Sequence, residues 1–327
     1  MVELNWMQEY AATEVVELRE AGLLGRREML FRLAAICGSA GAATAFLAAC
    51  SSDSGKPSAS TPTSSPPTST TGGRPTTSSR TPAPPVTDGP PGHVLSVSED
   101  DPDVRARNVN FPGPESAMLG YLAQPAAAGT YPGVIVNHEI FGMTDHIRDV
   151  ARRLAKVGFV ALAVDLVSRA GGSDKPNVDI VGTLVQGSVD DRVADLNAGV
   201  VFLESLPGYN DKLGVIGFCY GGGMTLSFAA ANPDVLAAVP YYGPTPQPAS
   251  VMRGTKAAIL AQYGGDDTRV NAGIPDLEAA LAGKTFEKRI YAGAGHAFNN
   301  DTGGAYNEEA AVEAWAATID WLQTYLS

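Results

Sequence analysis

Residues 217–221, Gly217-Phe218-Cys219-Tyr220-Gly221, fit the pattern glycine, any residue, nucleophile, any residue, glycine, with cysteine where serine is usual. An apolar run, Leu213–Phe218, leads into this motif, and a glycine-rich helical stretch follows to about Ala231. The pattern suits a nucleophile on a tight strand-to-helix turn. Side chains at the flanking positions would collide with neighbouring backbone, hence the glycines. The helix N-terminus would direct amide dipoles at the sulfur and favour its thiolate. The same turn could instead cradle a phosphate, and a single cysteine is often an inert core residue. A nucleophile needs a base and an orienting acid, in the chain order nucleophile, acid, histidine. Of the four histidines (His93, His138, His146, His296), only His296 follows Cys219, in Gly293–Phe298 directly after an apolar strand ending at Tyr291. Between them, another strand leads into Tyr263-Gly264-Gly265-Asp266-Asp267, where either aspartate could orient the imidazole.

Such a constellation needs a scaffold that brings several strand ends together. Strands are predicted at Pro132–His138, Phe159–Leu166, Leu213–Phe218, Leu236–Tyr242, Ala257–Gln262 and Phe286–Tyr291, each a short apolar run. Amphipathic helices are expected at Asp145–Val157 (capped by Asp145 and stopped by Gly158), Asp191–Leu206, Pro275–Ala282 and Asn307–Tyr325. The fold class is therefore α/β, a mostly parallel, doubly wound sheet with helices on both faces. In such sheets the ligand lies beyond the carboxyl ends of the strands.

Gly217–Gly222, the Asp267 loop, the His296 loop and Asn137-His138-Glu139-Ile140-Phe141-Gly142 together resemble the dienelactone hydrolase family of α/β-hydrolase fold, from about Asn108 to the C-terminus. The resemblance implies a catalytic triad of Cys219, Asp267 and His296, with Asp267 at the family's acid position in Tyr-x-Gly-x-Asp. It assigns Glu139 as the group that holds the resting thiol and takes its proton, and the backbone amides of Tyr220 and Ile140 as the oxyanion hole. It implies hydrolysis of a carboxylic ester, lactone or thioester through a thioester acyl-enzyme. Members that open dienelactone carry two arginines for the substrate carboxylate. One position is Asn300 here, and residues 170–191 contain no arginine. Lys175, Arg192 and Arg269 are the possible substitutes, otherwise read as solvated surface charges, and Asn299 and Asn300 could bond a neutral polar group. A neutral or weakly polar substrate is expected. The reading of a different class is a non-catalytic binding lipoprotein that keeps the fold.

The rest of the 327 residues organises this domain. Residues 51–92 hold 34 Ser, Thr, Pro or Gly and read as a disordered linker, leaving residues 93–327 as the catalytic domain. Residues 1–50 read as an export leader: Arg26-Arg27 resembles a twin-arginine signal, and Leu47-Ala48-Ala49-Cys50 a lipobox, with Cys50 the lipidated residue. Residues 1–25 are acidic for a leader, with five Glu and one Arg. The expected location is the outer face of the cytoplasmic membrane or outside the cell, the only membrane contact being a lipid at Cys50. A formal charge of −12 argues against nucleic acid as a partner. Three cysteines, one of them in the catalytic domain, exclude a disulfide scaffold there. No metal or organic cofactor is indicated, because His138 and His146 have no recognised ligand spacing. A monomer acting on a small ester or lactone is expected.

Overall fold

The computed structural model describes residues 6–20, 25–37, 41, 43, 44, 47 and 94–327. Cys50, the predicted linker and His93 lie outside the described residues. The centre is an eight-stranded sheet in the order β1-β2-β4-β3-β5-β6-β7-β8. Its strands are β1 (Val104–Phe111), β2 (Met118–Pro125), β3 (Tyr131–Asn137), β4 (Val160–Asp165), β5 (Tyr209–Phe218), β6 (Val235–Tyr241), β7 (Ala258–Gly264) and β8 (Phe286–Tyr291). β3 to β8 run parallel, whereas β2 pairs antiparallel with both β1 and β4. This is the α/β-hydrolase arrangement that the motif order requires. The central strands are legible as apolar runs because they are covered on both faces. Val134–Val136, Val160–Val164 and Ile259–Ala261 are all buried.

Nine helices pack around the sheet or over its edge among the described residues: α1 (Trp6–Glu20), α2 (Arg26–Ile36), α3 (Asp145–Lys156), α4 (Ile180–Gln186), α5 (Val189–Glu204), α6 (Tyr220–Ala231), the single turn α7 (Thr268–Asn271), α8 (Ile274–Ala280) and α9 (Glu308–Leu326). The predicted helices match α3, α5, α8 and α9 within a few residues. Asp145 is the first helical residue and not the cap; Thr144 holds the cap position, with no side-chain hydrogen bond. The stop at Gly158 follows from its left-handed backbone, φ +96°. α5 begins with a capping box, Ser188 and Asp191 bonding each other's backbone amides. β1, β2, α1, α2, α4 and the single turn α7 have no counterpart among the predicted elements.

Candidate active site

Cys219 sits between β5 and α6 with φ 54° and ψ −119°, a backbone conformation that L-residues rarely occupy. The turn is held because neither neighbour can bear a side chain. A Cβ on Gly217 would lie 2.2 Å from the Gly221 carbonyl oxygen, and one on Gly221 would lie 2.3 Å from that of Asn137. This close approach sets the start of α6 directly against the end of β3, where Glu139 and Ile140 follow. The Cys219 amide donates to the Tyr241 carbonyl at 3.1 Å, which ties the elbow to β6. The amides of Tyr220, at the first turn of α6, and of Ile140 make no backbone hydrogen bond among the described residues.

The histidine and acid arrive from the ends of β8 and β7. His296 Nδ1 pairs with Asp267 Oδ2 at 2.6 Å, and the other Asp267 oxygen accepts from the Val270 amide at 3.2 Å, capping α7. The paired imidazole holds the Asp267 carboxyl below its ordinary range against the opposing effect of burial. Asp266 is exposed, and its amide donates to the Ala294 carbonyl. The ambiguity between the two aspartates is thereby removed: Asp267 is the one on the imidazole. The edge of His296 meets the Tyr242 ring with centroids 5.1 Å apart. Tyr242 is itself strained, φ 37°, directly after β6.

Glu139 is 3% exposed. Its Oε2 accepts from Asn300 Nδ2 at 2.6 Å, while Oε1 has no hydrogen-bond partner among the described residues. Burial pushes its carboxyl up, only partly offset by His146, His296 and Asn300. His138 fixes this loop: its Nδ1–H donates to the Glu139 carbonyl at 2.7 Å and its Nε2 accepts from the Leu166 amide at 3.1 Å. Both ring nitrogens are therefore occupied structurally, and burial lowers the pKa of the ring.

The acidic N-terminal segment, which the sequence pattern left as an atypical leader, closes the mouth of this site. α1 buries Met7, Tyr10, Ala11, Glu14 and Val15 along one stripe. The Tyr10 hydroxyl lies 3.3 Å from Cys219 Sγ and 3.4 Å from His296 Nε2. A Glu14 oxygen lies 3.6 Å from His296 Nε2 and is also paired with Arg269 Nη2. Arg269 Nε donates to Glu17 at 2.9 Å, and the guanidinium lies 4.5 Å from the centre of the Tyr10 ring. Burial first, and then the Glu14 carboxylate, push the Cys219 thiol up, against His296. Against burial, Glu14, Cys219 and Asp267 hold His296 well above the usual histidine range. Ligand atoms of Glu14, Cys219 and His296 all lie within 4.8 Å of one another, the one such trio among the described residues.

The chain matches the model of the dienelactone hydrolase family over residues 118–326. It belongs to the dienelactone hydrolase family. Relatives include a protein of Methylorubrum extorquens provisionally named a carboxymethylenebutenolidase, 36% identical over 247 residues that cover 70% of this chain and 84% of the relative. A similarly named protein of Escherichia coli K12 is 34% identical, covering 70% of this chain and 90% of its own. Among solved structures, a dienelactone hydrolase of Klebsiella pneumoniae, also provisionally named, superposes with a TM-score of 0.62 at 31% identity. The match covers 68% of this chain and 99% of that one. A dienelactone hydrolase-like promiscuous phosphotriesterase from metagenomic libraries gives 0.62 at 25% identity, over 69% and 100% of the two chains. Family membership makes the chain a hydrolase of the ester or lactone type, on the fold anticipated from its motifs.

Some candidate substrate contacts have other employment. Asn300 is committed to Glu139, and its Oδ1 accepts from the Thr302 amide at 3.1 Å and hydroxyl at 2.8 Å. Asn299 is fully buried, and neither side-chain atom has a hydrogen-bond partner among the described residues. Arg192 is a correction: it is buried, and donates to the Leu166 and Thr183 carbonyls, so it is no solvated surface charge. Lys175 is exposed and donates to the Ala170 carbonyl at 2.8 Å. Arg269 alone of these cations reaches the mouth. Tyr10, Glu14 and Tyr242 were not anticipated. The spacing of Met7, Tyr10, Ala11, Glu14 and Val15 carries a helical signal that a leader reading passes over.

Proposed function

We propose that the chain hydrolyses a carboxylic ester or lactone through Cys219, His296 and Asp267, with a thioester acyl-enzyme. The observation that carries this is the 2.6 Å His296–Asp267 pair facing a cysteine on a strained elbow. When substrate displaces what covers the thiol, the Glu139 carboxylate takes the Sγ proton. A carboxyl raised by burial is a stronger base for this task than an ordinary one. The thiolate attacks the carbonyl carbon, and the carbonyl pair moves to oxygen, held by the Tyr220 and Ile140 amides. Collapse expels the alkoxide, which takes a proton from the His296 imidazolium and leaves the thioester. Water then gives a proton to His296 as it attacks the thioester, the thiolate leaves, and Glu139 returns its proton to the sulfur. The sum is ester plus water to acid plus alcohol.

Arg269 supports a substrate with an anionic group near the scissile bond, because its guanidinium already receives two carboxylates beside the thiol. This departs from the neutral substrate expected from the missing arginines. We read Arg26-Arg27 and Leu47–Cys50 as supporting export and lipidation at Cys50; no helix among the described residues is long and apolar enough to cross a membrane. Hydrolysis of p-nitrophenyl acetate, p-nitrophenyl succinate and dienelactone by the full chain, with Cys219→Ala alongside, tests the chemistry. Turnover lost in Cys219→Ala, with an acyl mass on the Cys219 peptide of the parent, is expected. Equal rates in both would leave a binding protein on a hydrolase fold.

A further inference from the structure

We propose that α1 is an intramolecular plug, a pro-segment that fills the acyl site and keeps Cys219 from substrate while it remains attached. The inference rests on the hydrolase reading of the site and extends it to regulation. Three independent contacts carry it. The Tyr10 hydroxyl bridges the nucleophile and the histidine, at 3.3 Å and 3.4 Å, where a substrate's reacting group must go. Glu14 and Glu17 neutralise Arg269, a cation at the mouth suited to a substrate anion. The apolar stripe Met7, Ala11 and Val15 is buried with them, so the helix is docked by area as well as by charge. α2 continues the cover: it packs on α1 and on α4, with Met29, Leu33 and Ile36 buried and Arg32 over the Phe141 ring at 5.3 Å.

Charge acts in the same direction as shape. A carboxylate beside the sulfur disfavours the thiolate, so Glu14 lowers the nucleophilicity of Cys219 besides occupying space. Two of the glutamates that make residues 1–25 unusually acidic for a leader have a purpose here: Glu14 answers Arg269 and His296, and Glu17 answers Arg269. Cleavage before Cys50, as the lipobox-like Leu47–Cys50 predicts, would sever both helices from the domain and leave their docking bimolecular. Export and activation would then be one event.

The test uses the full chain and two variants that unseat α1 differently. Tyr10→Ala/Glu14→Ala removes the contacts with the site, and Val15→Asp puts a charge into the buried stripe. Each variant should alkylate at Cys219 with iodoacetamide at least tenfold faster than the parent, and show at least a tenfold gain in kcat/KM for p-nitrophenyl acetate. A synthetic peptide of residues 6–20 added to Val15→Asp should slow both again. Alkylation unchanged in both variants would overturn the plug whatever the turnover. Slower turnover with faster alkylation would overturn it too, making Tyr10 or Glu14 a working part of the site. Faster alkylation with no turnover in any protein would sustain the plug and sink the hydrolase reading instead.

Discussion

Glu139 shows how function and stability pull against each other at a single residue. Its carboxyl is buried, one oxygen has no hydrogen-bond partner among the described residues, and burial raises its pKa. A raised folded pKa means that the native state binds this proton more tightly than the unfolded chain does. The contribution to stability is present below the ordinary glutamate pKa of about 4.3 and is lost as pH rises through the folded value. At neutral pH the ionised group therefore destabilises the fold. Glu139→Gln keeps an acceptor for Asn300 Nδ2 and removes the charge. It should raise the thermal midpoint at pH 7, with the gain shrinking as pH falls through the raised folded pKa and gone below about 4.3, while kcat/KM falls by about 10²-fold or more. In the parent, kcat/KM should decline as pH drops through the raised pKa of Glu139. Paired melting curves and rates check this, and a lower midpoint at pH 7 would count against it.

At the scale of elements, the site depends on how near α6 comes to β3. Helix and strand meet backbone to backbone at Gly221, where a Cβ would lie 2.3 Å from the Asn137 carbonyl oxygen and 2.5 Å from that of His138. Neither neighbour is a side chain that can swing away, so Gly221→Ala must push α6 off the strand and move the Tyr220 and Ile140 amides apart. A cost of about 1–3 kcal/mol is expected from overpacking, with activity lost beyond that cost. Gly254→Ala, where a Cβ meets nothing within 4 Å, is the control and should be near neutral in urea unfolding and in rate. The elements that carry the triad were legible because parallel strands buried on both faces read as apolar runs. β1 was not legible. Its sequence, Val104-Arg105-Ala106-Arg107-Asn108-Val109-Asn110-Phe111, lies at the sheet edge and buries only Val104, Val109 and Phe111. The partner positions were legible only as motifs. That Asp267 and not Asp266 meets the imidazole depends on the turn that exposes one carboxylate and buries the other. That Asn300 serves Glu139 depends on a contact across 161 residues of chain, to which local pattern is blind.

The whole molecule joins two layers that differ in how much of the buried core they supply. The sheet and helices α3 to α9 supply most of the one continuous buried core; α1 and α2 join that core at the mouth of the site, through one apolar stripe each, Arg269 and α4. Units with less buried area open at lower free energy than the domain beneath them. Urea should therefore lift α1 and α2 before it unfolds the sheet. Cys219 reports the first event, because α1 covers its sulfur, and far-UV circular dichroism reports the second. In the full chain, iodoacetamide labelling of Cys219 should accelerate at urea concentrations where the main ellipticity transition has not begun. In Val15→Asp, labelling should be fast without urea, while the main transition keeps its midpoint. Since the slope of stability against urea scales with the surface exposed, the labelling transition should also be the shallower of the two. Coincident transitions of equal slope would mean that α1 is an integral part of the domain core. Its removal would then unfold the hydrolase and could not free its thiol.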